Sequence, residues 1–152
     1  MIIKIADFQN PSVIALLNEH LSGMNSNSPA GSVYAFDYSR LQYDDISLWT
    51  AWENDHLLGF GALKELTPTS GEIKSMRTKQ QHYRKGVAAT ILEHIIGVAK
   101  KRKYSRLSLE TGSGDAFEAA LTLYLKYGFV AGAAFGEYEK SEFNQFFHLP
   151  IS

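Results

Sequence analysis

The stretch from Arg77 to Leu92, RTKQQHYRKGVAATIL, holds the residues most suggestive of chemistry. It reads as a strand leaving into a tight turn at Gly86 and then the N-terminus of an apolar helix. Successive backbone N–H groups of such a turn converge on one spot and the helix dipole adds partial positive charge, so a phosphate or pyrophosphate fits there. Arg84 and Lys85 add two cations. The same residues also fit an ordinary strand-to-helix connection with solvated basic side chains, because one glycine alone does not specify a phosphate site. Neither the G-x-x-x-x-G-K-S/T nor the G-x-G-x-x-G pattern occurs.

Other chemistries lack their residues. The five His show no H-x-H or H-E-x-x-H spacing, which argues against a metal site and leaves His82 as a loop residue beside the turn. Gly112-Ser113-Gly114 is not a G-x-S-x-G nucleophile elbow, so Ser113 reads as turn chemistry. The absence of cysteine removes disulfides, Cys zinc sites and a thiolate acyl carrier, and makes a reducing, cytoplasmic setting the simpler expectation. The run Lys100 to Lys103 fits a helix C-terminus whose cations complement the dipole; a nucleic-acid reading of Lys100 to Arg106 would predict salt-sensitive binding. A net charge of −1 gives no overall cationic field for nucleic acid or an anionic membrane. The start, MIIKIADFQN, has one Lys and too short an apolar stretch for a secretory signal, and no apolar run approaches membrane-spanning length.

Elements that could position the turn follow from periodicity. Residues 2–6 read as a strand, Asn10-Pro11 as a helix cap with Pro at the first helical position, and Val13, Leu17, Leu21 and Met24 as the apolar stripe of a helix. Residues 25–45 lack a clean period and read as a loop with one short helix. ISLWTAWE and HLLGFGALKEL flank Asn54-Asp55 as a hairpin, and GEIKSMRT follows the breakers Thr67 to Gly71 as a third strand. Val87, Ile91, Ile95 and Val98 mark a helix from about Gly86 to Arg102, and residues 105–110 a strand. Asp115 with Glu118 resembles a capping box ahead of Phe117, Ala120, Leu121, Tyr124 and Leu125 at helical spacing. Gly128 is placed as the C-cap glycine, and strands follow at Phe129-Val130 and Phe146 to Pro150. The 152 residues make one α/β domain with a parallel crossover in the middle.

Two motifs on successive helices resemble the GNAT superfamily of acyl-CoA-dependent N-acetyltransferases. Tyr83-Arg84-Lys85-Gly86-Val87-Ala88 is similar to the family's Arg/Gln-x-x-Gly-x-Gly/Ala phosphate loop, with Tyr83 in the Arg/Gln position. That departure removes one side-chain contact but no backbone donor, since any residue except Pro supplies an N–H. Ala120 to Phe129, ALTLYLKYGF, is similar to A-x-x-L-Y-x-x-x-G-F, with Phe117 where an Asn is often found. GEIKSMRT, RKGVA, LSLETGS and LYLKYGF further resemble a bacterial subgroup often labelled indole-3-acetic acid acetyltransferase. An indole N–H has its lone pair in the ring and is a poor nucleophile, so an amine is the expected acceptor.

The resemblance implies a GNAT fold: a central mixed, mostly antiparallel sheet of about seven strands, a parallel pair in the middle and about four helices, in a single domain over 1–152. It implies acetyl-CoA as co-substrate, bound in a gap between the fourth and fifth strands, and no metal. Met76, Arg77 and Thr78 should pair with the pantetheine arm, and Tyr83, Arg84, Lys85, Gly86, Val87, Ala88 and Ala89 should form the pyrophosphate loop. Phe117, Ala120, Tyr124 and Tyr127 should line the cofactor on the following helix. Acetyl moves directly to an unidentified amine, with Tyr124 as acid to the sulfur and Glu72 as base; Glu110 and ordered water are rivals for the base. A sensor that binds acyl-CoA without turnover uses the same loop. The acceptor pocket is expected between residues 25–45 and Phe135 to Phe147, near Asp37, Asp44, Asp45, Glu137, Glu139 and Glu142. Nucleic acid and membrane are not expected partners, and a homodimer is compatible with the family.

Overall fold

The computed structural model describes residues 1–27, 44–136 and 138–151. Strand β1 (Ile2–Ile5) leads to helix α1 (Pro11–Asn27), whose start is fixed by Asn10: its side-chain oxygen accepts the Ser12 N–H at 2.9 Å, with Pro11 at the first helical position. Strands β2 (Ile46–Glu53) and β3 (His56–Thr67) form the expected hairpin. Asn54 and Asp55 both have positive φ, 50° and 66°, as a tight turn matching the strand twist requires. Pro68-Thr69 alone makes the next turn, so β4 (Ser70–Thr78) begins inside the predicted breaker group. Helix α2 (Val87–Lys101) crosses to β5 (Arg106–Thr111), and helix α3 (Glu118–Lys126) precedes β6 (Val130–Ala131) and β7 (Gln145–Pro150).

The seven strands form one sheet in the order β1-β2-β3-β4-β5-β7-β6. Among the described residues, only β4 and β5 pair in parallel. Side-chain alternation along the strands separates two apolar layers. Trp49, Ala51, Ile73, Leu107 and Leu109 pack with Val87, Ile91, Leu92 and Ile95 of α2 and Tyr124 of α3. Ile46, Leu48, Phe60 and Ala62 face Val13, Leu16 and Leu17 of α1.

Two expectations need correction. Among the described residues there are three α-helices rather than four, accompanied by short 3-10 turns at Gln80–His82 and Asp115–Phe117; the short helix expected within 25–45 falls on residues 28–43, outside the described ones. The capping box also does not form. Phe117 N–H bonds to Gly114 O at 3.0 Å, closing the 3-10 turn, and α3 starts at Glu118 without a side-chain cap. Phe117 is held there by an edge-to-face contact with Phe143 at 5.5 Å, which outweighs a solvent-facing cap. No described helix is long and apolar enough to cross a membrane.

Candidate active site

The parallel pair is short. β4 and β5 are in register only at Ser70 with Arg106, Gly71 with Leu107 and Glu72 with Ser108, yet β4 runs on to Thr78 and β5 to Thr111. Beyond Glu72 the two strands part. A bulge accompanies the opening: on β3 one residue separates Phe60 from Ala62, while on β4 two separate their partners Arg77 and Lys74. The extra residue bends and twists β4 away from its former neighbour. Glycines permit the close approach this needs, since a Cβ at Gly59 would lie 2.4 Å from Arg77 O and one at Gly61 2.5 Å from Met76 Sδ. The β4 edge from Ile73 to Thr78 has no strand beside it among the described residues, so its backbone is open to an extended ligand.

Met76, Arg77 and Thr78, all half-buried, lie on that edge. Arg77 directs its guanidinium to Glu19 of α1 at 2.9 Å, which leaves its main chain to the gap. The chain then turns at Lys79, whose N–H bonds to Leu58 O at 2.8 Å, and passes through the 3-10 turn at Gln80–His82. Arg84 and Gly86 both adopt left-handed backbone, with φ of 64° and 78°. Alternating hands in consecutive residues aim successive N–H groups to one side. Gly86 caps α2 without a side-chain bond, so the first-turn N–H groups of the helix are left for a ligand. Val87 is buried and anchors the turn in the core; Ala88 and Ala89 are half-buried, while Tyr83, Arg84 and Lys85 are exposed.

α3 packs in the same apolar layer as α2. Its end is a Schellman motif, with Phe129 N–H bonding to Tyr124 O and Gly128 N–H to Leu125 O, both at 3.1 Å, and Gly128 at φ 98°. The motif brings the Phe129 ring edge to Tyr124, with centroids 5.6 Å apart. Tyr124 is buried, and desolvation pushes its phenol well above the usual value. Ala120 packs against the same core, Tyr127 donates to Glu93 of α2, and Phe117 is a packing residue beside Gly112.

The other face of the parting strands carries buried charge that the sequence motifs only partly indicated. Glu72 is buried, and its Oε2 accepts the Tyr138 hydroxyl at 2.5 Å. Lys74 Nζ donates to the Tyr138 oxygen at 2.6 Å and lies 3.4 Å from Glu72 Oε2. Burial depresses the Lys74 ammonium, with Glu72 opposing that shift. Glu110 on β5 is pushed up to about 7, chiefly by desolvation, with Lys74 pulling down and Glu72 pushing up. Ser108 Oγ lies 2.8 Å from His148 Nδ1, and His148 Nε2 lies 2.8 Å from Ala133 O. A carbonyl can only accept, so Nε2 carries a proton toward Ala133 O. Phe135, Tyr138 and Phe146 form an aromatic wall over this group, with centroids 5.3 to 5.9 Å apart.

Lys74, two residues from Glu72 on a strand, was legible by alternation alone. Tyr138 was not, because it reaches Glu72 from a connection 66 residues away that has no periodic pattern. Asp44, Asp45, Glu139 and Glu142 are exposed, and Asp37 and Glu137 lie outside the described residues. Among the described residues, no three His, Asp or Glu gather as a metal could use.

The Acetyltransferase (GNAT) family profile matches residues 13–129, from α1 through the phosphate-type turn to the end of α3. The chain belongs to the GNAT family. Among its GNAT relatives, the uncharacterized N-acetyltransferase YsnE of Bacillus subtilis (strain 168) is 51% identical over 138 residues, covering 91% of each chain. The uncharacterized N-acetyltransferase YedL of Escherichia coli (strain K12) is 43% identical over 149 residues, covering 98% of this chain and 94% of that one. An IAA acetyltransferase of Azospirillum brasilense is 29% identical, covering 92% and 91%. Among solved structures, a putative acyl-CoA N-acyltransferase from Klebsiella pneumoniae superposes with TM-score 0.78 at 20% identity, covering 99% of this chain and 97% of that one. A Bacillus subtilis acetyltransferase in complex with CoA superposes with TM-score 0.72 at 20% identity, covering 99% and 98%.

Proposed function

We propose that the protein binds acetyl-CoA in the opening between β4 and β5 and transfers its acetyl group directly to an amine. The observation that carries this reading is the parted parallel pair leading straight into a turn of left-handed residues and an uncapped helix start. The first feature suits an extended arm with amides; the second suits a pyrophosphate. In this reading Met76, Arg77 and Thr78 pair with the pantetheine arm, and backbone N–H groups from Arg84 to Ala89 hold the pyrophosphate, flanked by Tyr83 and Lys85. Phe117, Ala120, Tyr124 and Tyr127 line the α3 side. A main-chain N–H of the bulged β4 polarises the thioester carbonyl and stabilises the tetrahedral oxyanion.

The amine must lose a proton before it attacks, and the departing sulfur must gain one. Tyr124, kept protonated by burial, donates to the sulfur. Proton removal falls to Glu72 on the other face of the sheet, with Glu110 and ordered water as rivals for the role. Direct attack fits a chain without cysteine, whose buried Ser108 already bonds to His148. The aromatic wall with two carboxylates suits a cationic acceptor that has an apolar portion. One domain carries both sites, and acetyl-CoA as co-substrate makes the cytoplasm the natural setting.

The test is free-thiol release from acetyl-CoA against a panel of polyamines, amino acids and peptides with free N-termini. Acceptor-dependent release with at least one amine is the expected result. CoA binding with no release across the panel would mark a binding module instead.

A further inference from the structure

A second set of polar side chains lies on the same sheet face as Glu72, further along β4. Phe60 and Ala62 of β3 pack beneath α1, and their register partners on β4 are Arg77 and Lys74. Partners across a ladder point to one side, so Arg77 shares the α1 face with Lys74, and with Glu72 two residues before Lys74. His20 of α1 stands edge-to-face on Phe60, with ring centroids 5.4 Å apart, and the Arg77 guanidinium acts on it as a nearby charge. Three nitrogens of this pair, Arg77 Nε and His20 Nδ1 and Nε2, are buried and have no hydrogen-bond partner among the described residues. Buried polar groups in folded proteins are nearly always paired, so three together beside an open strand edge point to a group supplied from outside the chain.

The chain itself shows what the guanidinium binds. Arg77 Nη2 meets Glu19 Oε1 at 2.9 Å, but the Glu19 side chain is 55% exposed, and an ion pair so open to water holds weakly. A ligand carboxylate that took its place would gain the buried Nε as a second donor and the His20 ring as a third. The face also has a fixed polarity. Carboxyl groups, Glu72 and Glu110, stand where β4 and β5 first part, and Arg77 stands five residues beyond Glu72 at the open edge.

We propose that the acceptor is an amino acid, whose carboxylate is held by Arg77 and His20 while its amine is directed to the Glu72 and Glu110 end of the opening. The inference rests on the acetyltransferase reading and narrows its acceptor. Arg77 forks onto the carboxylate through Nε and Nη2 in exchange for Glu19, and His20 donates one ring N–H. A zwitterion matches the order of groups along the strand, whereas a polyamine brings a second cation to the guanidinium and is disfavoured. The bonds that Tyr138 and Lys74 make to Glu72 both fall on Oε2, so neither takes Oε1. Phe135 and Phe146 of the aromatic wall then receive an apolar side chain.

The experiment compares acceptors that differ only in the acid: phenylalanine against phenethylamine, and γ-aminobutyrate against propylamine. In at least one pair kcat/KM from free-thiol release should favour the acid, by about 10-fold. Arg77→Met and His20→Phe should each shrink that preference through KM rather than kcat, and Arg77→Lys should restore part of it. Glu19→Gln, a surface change that serves where Arg77→Met folds poorly, releases the guanidinium and should enlarge the preference. Phenylpropanoate, which has the acid and no amine, should shift the His20 ring resonances in an NMR titration of the full chain. Preference for the plain amine in both pairs would overturn the assignment, as would a preference for the acid that survives Arg77→Met and His20→Phe unchanged. His20 resonances unmoved by phenylpropanoate would also overturn it and leave water as the partner of these nitrogens. Calorimetry with acetyl-CoA separates the two readings: absent binding counts against the acetyltransferase reading, while the His20 titration reports on the carboxylate site without cofactor.

Discussion

Tyr124 packs in the core and is the acid of the proposed reaction, and its substitution should separate the two. Tyr124→Phe keeps the ring against Phe129 and removes only the hydroxyl, so kcat should fall on the order of 10²-fold while acetyl-CoA affinity changes little. Steady-state kinetics with calorimetry checks this, and unchanged turnover would remove Tyr124 as the acid. Two other residues set opposing pH dependences. His20 on α1 is half-buried, edge-to-face on Phe60, and, lowered from 6.5 to about 4 by desolvation and then by Arg77, stays neutral in the folded protein at neutral pH. The unfolded chain therefore binds the proton first, and stability falls as pH drops from about 6.5 to 4, by at most ~3 kcal/mol. Glu110, raised from 4.5 to about 7, does the reverse: its contribution is full below about 4.5 and is lost as pH rises through 7. Denaturant melts across that range should show His20→Phe tilting the stability profile toward acid and Glu110→Gln toward base, each relative to the parent protein.

At the scale of elements, β3 and the bulge of β4 depend on two small residues. Gly59→Ala sets a methyl 2.4 Å from Arg77 O, a backbone atom that can yield only if the strands separate. A loss of about 1–3 kcal/mol in stability is expected, with weaker acetyl-CoA binding because the β4 edge is displaced. A denaturation midpoint and a binding isotherm measure the two effects. The elements themselves were largely legible. Val87, Ile91 and Ile95 announced α2 by their spacing, and Asn54-Asp55 announced the β2–β3 turn, because local patterns determine both. The capping box failed where a tertiary contact, Phe117 on Phe143, outweighed a local preference. The loop and α3 motifs indicated the left-handed turn before α2 and the glycine end of α3, whereas the Glu72–Tyr138–Lys74 chain depends on a long-range approach that no local pattern encodes.

Across the whole molecule, a net charge of −1 conceals an uneven distribution. Exposed Arg84 and Lys85 flank the phosphate-type turn, and Glu72 and Glu110 occupy the opposite face of the sheet. Acetyl-CoA affinity should therefore decline with ionic strength, and Lys85→Ala should reduce it several-fold and flatten its salt dependence. Titrations at two or three salt concentrations would show this; equal affinities throughout would mean that backbone donors alone hold the phosphates.

The three-residue register between β4 and β5 also has a mechanical meaning. Among the described residues, three rungs of direct pairing join the β1–β4 half of the sheet to the β5–β7 half, helped by the α2 crossover and by Tyr138 on Glu72 and Lys74. A cofactor lying in the opening would act as a keystone, adding rungs the polypeptide lacks. Acetyl-CoA should then slow amide exchange along Ile73 to Thr78 far more than in the β2–β3 hairpin, and raise the melting temperature by coupling the halves. In this view a cofactor bound there would be part of the sheet's architecture as well as a reactant.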